Sequence, residues 1–266
     1  MNILDKIAAF KRKEVEENKS LYPVKLLERT VYFETKPVSL STYLLDKDKS
    51  GIIAEFKRKS PSKGNINLYA PVGATTLAYM QAGASALSVL TDKEFFGGKN
   101  TDLTEARNYN YCPVLRKDFI IDEYQVIEAK SIGADSILLI GAMLRKEQVS
   151  ELARLAASLG MEVLFEIHDE TEIDKLCPEI TLAGINNRNL QTFEVDFENA
   201  LRLAGKLPLD VTKIAESGIS KPAQVAQLKQ QGFKGFLIGE QFMRESLPGL
   251  ACKKFIRQLN SVQHVA

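Results

Sequence analysis

The sequence of 266 residues has no tryptophan, three cysteines and two histidines. Cys112, Cys177 and Cys252 are far apart and odd in number, so neither a disulfide framework nor a zinc site is indicated. His168 and His264 stand alone, without the partners that a histidine-based triad or metal centre needs. We therefore expect a protein that works without a metal ion, a disulfide or a cofactor.

An excess of charge of one sign is also lacking, because 35 basic and 34 acidic side chains leave a net charge of +1. Such a balance argues against a bulk nucleic-acid binder. No run approaches the roughly 18 apolar residues of a membrane span, and the charged N-terminus has no signal-peptide core. No GxGxxG follows a strand and no GxxxxGK[ST] occurs, so dinucleotide and nucleoside triphosphate sites are not indicated. We expect a cytoplasmic protein that binds neither nucleic acid nor membrane.

Eight short apolar runs divide the chain, and several of them follow a glycine that ends an amphipathic helix. The runs lie at 51–56, 83–90, 113–116, 133–140, 160–165, 182–186, 213–216 and 232–239. The gaps between them are long enough for a helix and two loops, which indicates alternating strands and helices. Polar residues at the ends of most runs favour a closed (β/α)8 barrel over a doubly wound sheet, whose site would lie at one crevice.

The residues before the first run begin as a helix with Ile3 and Ile7 on one side and continue irregularly. We expect 1–266 to form a single barrel domain, in which about 1–48 is a helical extension that covers one end of the barrel. The Lys-Arg-Lys run at 11–13, followed by glutamates, is interpreted as a solvated face of that helix.

Six polar side chains stand at the ends of apolar runs: Glu55, Lys57, Lys117, Glu166, Asn186 and Glu216. In an α/β barrel the carboxyl ends of the strands carry the active site. Charges there are costly to desolvate unless they serve one another or a ligand. Glu55 and Lys57 alternate along a strand, so they point the same way and are expected to form an ion pair in the mouth. The alternative is a surface loop with a salt-bridged strand end.

Lys117 and Glu166 are the candidate proton-transfer groups. A lysine at a barrel strand end can act as a general acid, a Schiff-base former or a phosphate ligand, or can merely pair with Asp118. Glu166 follows an apolar run, which predicts a raised pKa and a proton carrier near neutral pH. Its alternative role is an ion pair with the lysine of a neighbouring strand. His168 is interpreted as a structural neighbour of Glu166.

The loops after the last two strands carry the signals of a phosphate site. Ser217, Gly218, Gly239 and Glu240 lie where many barrels hold a phosphate on backbone N–H groups. Asn186 and Arg188 offer an amide and a guanidinium, which orient a substrate more often than they transfer protons. The Phe-Phe-Gly-Gly segment at 95–98 either lines an aromatic pocket or packs internally.

Together these segments closely resemble the indole-3-glycerol phosphate synthase family of tryptophan biosynthesis. The resembling segments are IAEFKRKSPSKG at 53–64, FFGG at 95–98, VLRKDF at 114–119, GINNRNL at 184–190, AESGI at 215–219 and LIGE at 237–240. The resemblance implies a cofactor-free ring closure of 1-(2-carboxyphenylamino)-1-deoxyribulose 5-phosphate with loss of carbon dioxide and water. It thus implies a carbon–carbon lyase that acts on a small-molecule substrate, as a monomer or weak homo-oligomer.

The resemblance also implies roles for single residues. Lys117 would protonate the ketone oxygen, Glu166 would be its partner in dehydration, and Lys57 would engage a substrate carboxylate or hydroxyl. Three residues would hold the lysines and substrate in register: Glu55, Asn186 and Glu216. The residues in or beside the substrate and phosphate site would be Ser60, Arg188, Ser217, Gly218, Gly239 and Glu240. Two alternatives remain, namely a Schiff-base aldolase acting on a sugar phosphate and a non-catalytic phosphate-binding barrel.

Overall fold

The computed structural model describes residues 3–188 and 196–263. Within them, eight parallel strands close into a barrel in which every strand pairs with its neighbours in chain order. The strands are β1 (Ile52–Phe56), β2 (Ala86–Leu90), β3 (Val114–Lys117), β4 (Ser136–Ile140), β5 (Glu162–Ile167), β6 (Leu182–Asn186), β7 (Thr212–Glu216) and β8 (Gly235–Ile238). The expected fold class, a (β/α)8 barrel with an N-terminal helical extension, is confirmed.

Helices surround the barrel and connect its strands. Those before β1 are α1 (Ile3–Leu21), α2 (Val24–Leu27) and α3 (Leu40–Leu45), and those after it are α4 (Val72–Gln81), α5 (Asn100–Tyr109), α6 (Glu123–Ser131), α7 (Lys146–Ser158), α8 (Phe197–Ala204), α9 (Pro222–Gln230), α10 (Glu240–Met243) and α11 (Pro248–Gln263). A 3₁₀ helix (Glu170–Lys175) follows β5, and a small hairpin pairs Lys59–Ser60 with Gly64–Asn65 after β1. No helix in the described part of the chain is long and apolar enough to cross a membrane.

Glycines end helices where the sequence predicts it. Gly83 after α4 has a φ of 100°, and Gly133 after α6 has a φ of 94°. These angles lie in the left-handed region, where a side chain is strained and glycine is favoured. The chain then turns directly into β2 and β4, and this sharp reversal keeps helix and strand antiparallel.

The apolar core has two layers. A large cluster fills the space between the strands and the surrounding helices. A smaller one fills the barrel interior with strand side chains such as Leu115, Leu164 and Ile214. Leu40 and Leu44 of α3 belong to this inner cluster, so a helix of the extension closes the barrel floor. Since the floor is packed with hydrocarbon, a ligand can enter from the opposite end, the mouth.

The extension contacts both ends of the barrel. At the floor, the Ser41 amide donates to Glu162, the first residue of β5, at 2.9 Å. At the mouth, Ile3, Leu4 and Ile7 of α1 line the cavity described below. The division of 1–266 into one barrel domain with an extension over about 1–48 stays a prediction.

Candidate active site

A cavity of about 540 Å³ opens at the carboxyl ends of the strands. This volume lies in the range of roughly 300–1,000 Å³ that is usual for small-molecule sites. All twelve candidate residues line it: Glu55, Lys57, Ser60, Lys117, Glu166, Asn186, Arg188, Glu216, Ser217, Gly218, Gly239 and Glu240. The strand-end pattern in the sequence therefore identifies groups that lie together in space, although the pattern alone does not assign their roles.

Lys117 ends β3 and reaches across the mouth to two carboxylates. Its Nζ donates to Glu166 Oε2 at 2.6 Å and to Glu216 Oε2 at 3.0 Å. Burial by itself lowers the pKa of Lys117, but the surrounding carboxylates outweigh burial and raise it. The amine is therefore held as an ammonium. Asp118, the alternative partner, pairs with Lys11 and Arg116.

The expectation that Glu166 has a raised pKa is wrong. Burial does act in that direction, but Lys117 and His168 outweigh it and hold the pKa well below its usual value. His168 Nε2 lies 3.2 Å from Glu166 Oε1, and Asn186 Nδ2 donates to the same oxygen at 3.0 Å. Glu166 is thus an ionised carboxylate with three polar neighbours. It pairs with a lysine, as the alternative role predicts, but Lys117 lies on β3, two strands away from β5, and not on a neighbouring strand.

The carboxyl group with a raised pKa is Glu216. Its pKa is raised to about 7 because burial and the negative charges of Glu166 and Glu55 together outweigh the opposing effect of Lys117. Glu216 Oε1 has no hydrogen-bond partner among the described residues. Two carboxyl groups thus share one ammonium, and like charges close together favour a proton on one of them.

Glu55 and Lys57 form the ion pair that their alternation predicts. The Lys57 Nζ lies 2.7 Å from Glu55 Oε1, and the Glu55 side chain is buried. Lys57 lines the cavity, whereas its neighbour Arg58 pairs with Asp102 beneath the rim. The Lys59 ammonium donates to a backbone carbonyl at 2.6 Å. Among the consecutive cations Lys57, Arg58 and Lys59, Lys57 is therefore the one whose charge is positioned to contact a ligand.

Two glycines make room for the carboxylates. A Cβ added to Gly184 of β6 would lie 2.0 Å from Glu216 Oε1, and one added to Gly239 would lie 2.3 Å from Glu55 Oε1. Carbon and oxygen cannot approach so closely, so any side chain at either position would displace a carboxylate. The missing side chain of Gly239 therefore leaves room for the Glu55 carboxylate.

One half of the cavity is polar. Ser217 and Gly218, after β7, both have positive φ, at 67° and 75°. The Asn187 side chain donates to the Ser217 carbonyl at 3.1 Å and so helps to fix this turn. Arg188 and Glu240 face each other across the same half, with 3.6 Å between Nη2 and Oε2. Asn189 and Leu190, which end the fourth resembling segment, lie outside the described residues.

The other half is apolar, and sequence reasoning foresaw little of it. The rings of Phe96 and Phe119 lie 5.9 Å apart, and both line the cavity with Leu138 and Ile140 of β4. Ile7 of α1 completes this wall together with Ile3 and Leu4. Of the two interpretations of the Phe-Phe-Gly-Gly segment, Phe96 therefore lines the cavity, while Phe95 packs edge-on against Phe10 at 5.8 Å.

The interpretation of the 11–13 run as a solvated helix face is wrong at Lys11. Its side chain is fully buried, and its Nζ lies 3.0 Å from Asp92 and 2.8 Å from Asp118. Burial lowers the pKa of Lys11, but these carboxylates outweigh burial and raise it. The signal was in the spacing, because Ile7, Lys11 and Val15 follow one another at four-residue intervals on the buried face of α1.

No group of three or more histidine, cysteine, aspartate or glutamate side chains among residues 3–188 and 196–263 is arranged to hold a metal ion. The mouth presents ammonium groups, carboxyl groups, an amide, a guanidinium and hydroxyl groups. A positive group flanked by carboxylates, between an apolar wall and a polar pair of loops, can move protons to and from a bound carbonyl or hydroxyl.

The fold and the mouth together define a (β/α)8-barrel enzyme that carries lysine–carboxylate chemistry at the ends of its strands. A family model described as indole-3-glycerol phosphate synthase matches residues 4–259. The chain belongs to the indole-3-glycerol phosphate synthase family, as its resemblance in six segments predicts.

Curated relatives with that name agree over nearly the whole chain. The one from Bacteroides thetaiotaomicron is 48% identical over 258 residues, which cover 97% of this chain and 99% of the relative. One from a Polaromonas species is 44% identical, with 94% and 96% covered, and one from Salinibacter ruber is 41% identical, with 96% and 95% covered.

Solved structures with a similar fold include a chain of the tryptophan synthase a2b2 complex from Pyrococcus furiosus. Its TM-score is 0.59 at 14% identity, and the match covers 80% of this chain and 98% of the other. A mutant tryptophan synthase alpha-subunit from the same organism gives 0.57 at 17% identity, with the same coverage. At these identities the likeness supports the barrel fold alone.

Proposed function

We propose that this chain closes the indole ring of indole-3-glycerol phosphate, with Lys117 as the general acid. The substrate is 1-(2-carboxyphenylamino)-1-deoxyribulose 5-phosphate, and carbon dioxide and water leave, so the enzyme is a carboxy-lyase of tryptophan biosynthesis. The observation that carries the proposal is the Lys117 ammonium held between Glu166 and Glu216, with an apolar wall on one side and polar loops on the other.

The two halves of the cavity match the two ends of this substrate. The carboxyphenyl ring is flat and apolar, so it packs against Phe96 and Phe119. The phosphate is an anion with several acceptor oxygens, which suits the backbone amides around Gly218 and Gly239 and the guanidinium of Arg188. The hydroxyl of Ser60 lines the same cavity, and Glu240 contributes its amide. Between the two ends, the ketone reaches Lys117.

Lys117 acts on the ketone oxygen. When the aryl carbon attacks the ketone, negative charge develops on that oxygen, and a positioned ammonium both stabilises it and donates a proton. The pKa of Lys117 is raised by its carboxylates, so the ammonium is fully charged before the substrate binds. Proton donation of this kind contributes roughly 10²–10⁴-fold to a rate.

Glu166 and Glu216 divide the work around Lys117. Glu166 is ionised, and it accepts the proton that is removed during dehydration. Glu216 holds Lys117 from the other side, and its pKa of about 7 means that it is partly protonated near neutral pH. This reduces the negative charge that draws the ammonium away from the substrate. Asn186 orients Glu166 by donating to its Oε1.

Lys57 engages the substrate carboxylate or a hydroxyl and shares the proton transfers. Glu55 fixes its ammonium at 2.7 Å. An exposed lysine would be hydrated and would adopt many conformations. The side chain of Lys57 is only 17% exposed, and that of Glu55 is 5% exposed. An ammonium that is already held by a buried carboxylate can bind the leaving carboxylate of the substrate with less loss of freedom.

The charge state of Lys117 argues against the Schiff-base alternative. An amine attacks a carbonyl as the neutral base, and lysines that do so have lowered pKa values. Here the surrounding carboxylates raise the pKa of Lys117 and so disfavour the neutral amine. The number of proton-transfer groups at the mouth likewise exceeds what a non-catalytic phosphate-binding barrel needs.

The test is the fluorescence of the indole product after substrate is added to purified protein without metal or cofactor. The chain has no tryptophan, so the protein contributes little background at indole wavelengths. We expect a lasting rise in fluorescence with the release of carbon dioxide. Folded protein that gives no rise, and that is trapped on the substrate by borohydride, would instead be a Schiff-base enzyme.

The expectations about the cell and the assembly are also carried forward as proposals. The enzyme acts in the cytoplasm, which is consistent with named relatives from bacteria. It works as a monomer or weak homo-oligomer, and in either state one chain holds all the residues assigned to the reaction. Sedimentation of the purified protein tests the second proposal, and a stable tetramer would contradict it.

A further inference from the structure

Lys11 is a buried cation with three carboxylates around it. Its side chain has no exposed surface, and its Nζ lies 2.8 Å from Glu14, 3.0 Å from Asp92 and 2.8 Å from Asp118. A charge in such a place is tolerated because it is paired, and loss of one partner leaves the others buried without compensation. Asp92 and Asp118 closely follow the strand ends of β2 and β3, so Lys11 fastens α1 to two loops of the mouth.

Both aspartates also accept hydrogen bonds from the backbone amides of aromatic residues. Asp92 Oδ1 accepts hydrogen bonds from the amides of Phe95 at 2.7 Å and Phe96 at 3.0 Å. Asp118 Oδ1 accepts from the Phe119 amide at 2.8 Å. The rings of Phe96 and Phe119 form the aromatic part of the cavity wall. Each ring is therefore linked to Lys11 through a single aspartate.

The helix that carries Lys11 supplies a further part of the wall, beside Leu138 and Ile140 of β4. Ile7 lies one turn before Lys11, and Ile3 and Leu4 lie a further turn away, all three on the cavity. Phe10 packs edge-on against Phe95, and Phe95 packs against Phe119 at 6.4 Å. Three separate elements of the wall thus meet at one ammonium, which lies behind the wall and does not line the cavity.

We propose that Lys11 is a positioning residue for the reaction, which acts by holding the apolar wall in place for the carboxyphenyl ring of the substrate. The inference rests on the proposed function, since it assigns the aryl end of that substrate to the wall. The phosphate end lies on the far side of the mouth, at the loops after β7 and β8. Loss of Lys11 weakens binding at the aryl end, and Lys117 keeps its own carboxylates.

The test compares Lys11→Met with Lys13→Met, a matched variant of an exposed lysine on the same helix. For Lys11→Met we expect KM for the substrate to rise about tenfold or more, with kcat within about threefold of wild type. Anthranilate, which is the aryl end alone, should inhibit about tenfold more weakly, while inhibition by inorganic phosphate stays within about twofold. Lys13→Met should match wild type in all four measurements.

A second variant guards against loss of folding. Asp92→Asn keeps an oxygen for the Phe95 and Phe96 amides but removes a charge that faces Lys11. We expect the same pattern, with a raised KM, weaker anthranilate inhibition and unchanged phosphate inhibition. An equal loss of anthranilate and phosphate inhibition in the folded variants would mean general disorder and would overturn the inference.

The two proposals fail in different ways. Wild-type protein that makes no indole product overturns the proposed function, and this inference falls with it. Wild-type protein that turns over normally, together with an unchanged KM in Lys11→Met and Asp92→Asn, overturns this inference alone.

Discussion

The ammonium of Lys117 is shared by two carboxyl groups that differ in protonation. Glu166 is stabilised as an anion by Lys117 and His168, whereas burial and its acidic neighbours raise the pKa of Glu216 to about 7. A strand-end pattern cannot reveal this difference, because Lys117 and Glu166 are 49 positions apart and Lys117 and Glu216 are 99 apart. The local sequence gives the apolar neighbours of Glu166, while the decisive influence on its pKa crosses the barrel.

The raised pKa of Glu216 makes stability depend on pH. Its value in the folded protein, about 7, lies above the ordinary 4.5, so the folded state binds the proton more tightly than the unfolded state. This contribution to the free energy of unfolding is complete below about pH 4.5 and is lost as pH rises through about 7. Glu216→Gln carries no titrating proton at this position, so its Tm relative to wild type should rise between about pH 5 and about pH 8.

Thermal unfolding followed by circular dichroism at the two pH values measures this difference. Glu151→Gln, on the exposed face of α7, controls for the loss of one carboxylate, and the change in Tm of Glu216→Gln is compared with it at each pH. A difference between Glu216→Gln and wild type that is the same at both pH values would contradict the assigned pKa.

At the scale of single elements, β6 shows how a strand can serve a residue on its neighbour. Gly184 pairs with Ile214 of β7, and the space beside its Cα is filled by the Glu216 carboxyl group. Gly184→Ala would place a methyl group 2.0 Å from Glu216 Oε1, so the carboxyl group that accepts a hydrogen bond from Lys117 must change its position. We expect kcat/KM to fall by about tenfold or more, as is usual when a catalytic group is misplaced by about an ångström.

Steady-state kinetics measure this loss, and Gly205→Ala is the matched control. Gly205 follows α8, has a φ of −71°, and has open space where a Cβ would lie. Its replacement should leave kcat/KM unchanged. Wild-type kcat/KM in Gly184→Ala would show that the position of Glu216 is not important for the reaction.

Helix α1 shows the limit of reading charge patterns from sequence. The run at 11–13 followed by glutamates is typical of a solvated face, and Arg12 and Lys13 are indeed exposed. Lys11 is buried because two aspartates that lie far along the chain, Asp92 and Asp118, surround it in the folded protein. The local sequence gives one sign of this burial, namely that Lys11 lies on the apolar stripe of the helix, where a lysine needs buried carboxylates to pair with.

At the scale of the whole molecule, one end of the barrel stabilises the fold and the other end carries the candidate active site. The floor is closed by apolar side chains of α3, and the mouth is lined by charged groups and an aromatic wall. Leu44, 4% exposed, packs into the floor cluster. Leu44→Ala should lower the free energy of unfolding by about 2–5 kcal/mol, as is usual for buried leucines, because it removes packed hydrocarbon and leaves a cavity.

Denaturant unfolding measures that loss, and kinetics should show a KM and kcat within about twofold of wild type. Leu45→Ala is the control, since Leu45 is next in sequence but 53% exposed. It should change stability by about 0.5 kcal/mol or less. A large rise in KM for Leu44→Ala would contradict the separation of a stabilising floor from a reactive mouth.

Most of the barrel could be predicted, because each strand is a local apolar run and several turns have a local glycine. The starts of β2 and β4 follow Gly83 and Gly133 as the pattern indicates. Strand order and polarity predicted the placement of the six strand-end residues at one mouth, whereas Ser60 was expected there because of the family resemblance. The sequence could not reveal which residues distant in the chain contact one another. Examples are the packing of α3 into the barrel floor and the wall formed by Ile7, Phe96 and Phe119.

The kcat of Lys117→Ala shows whether Lys117 protonates the ketone oxygen during ring closure. We expect a loss of roughly 10²–10⁴-fold, the usual contribution of a general acid, with a far-UV circular dichroism spectrum like that of wild type. Lys93→Ala, an exposed lysine in the loop after β2, should retain full turnover. A folded Lys117→Ala protein that turns over substrate nearly as fast as wild type would contradict the account.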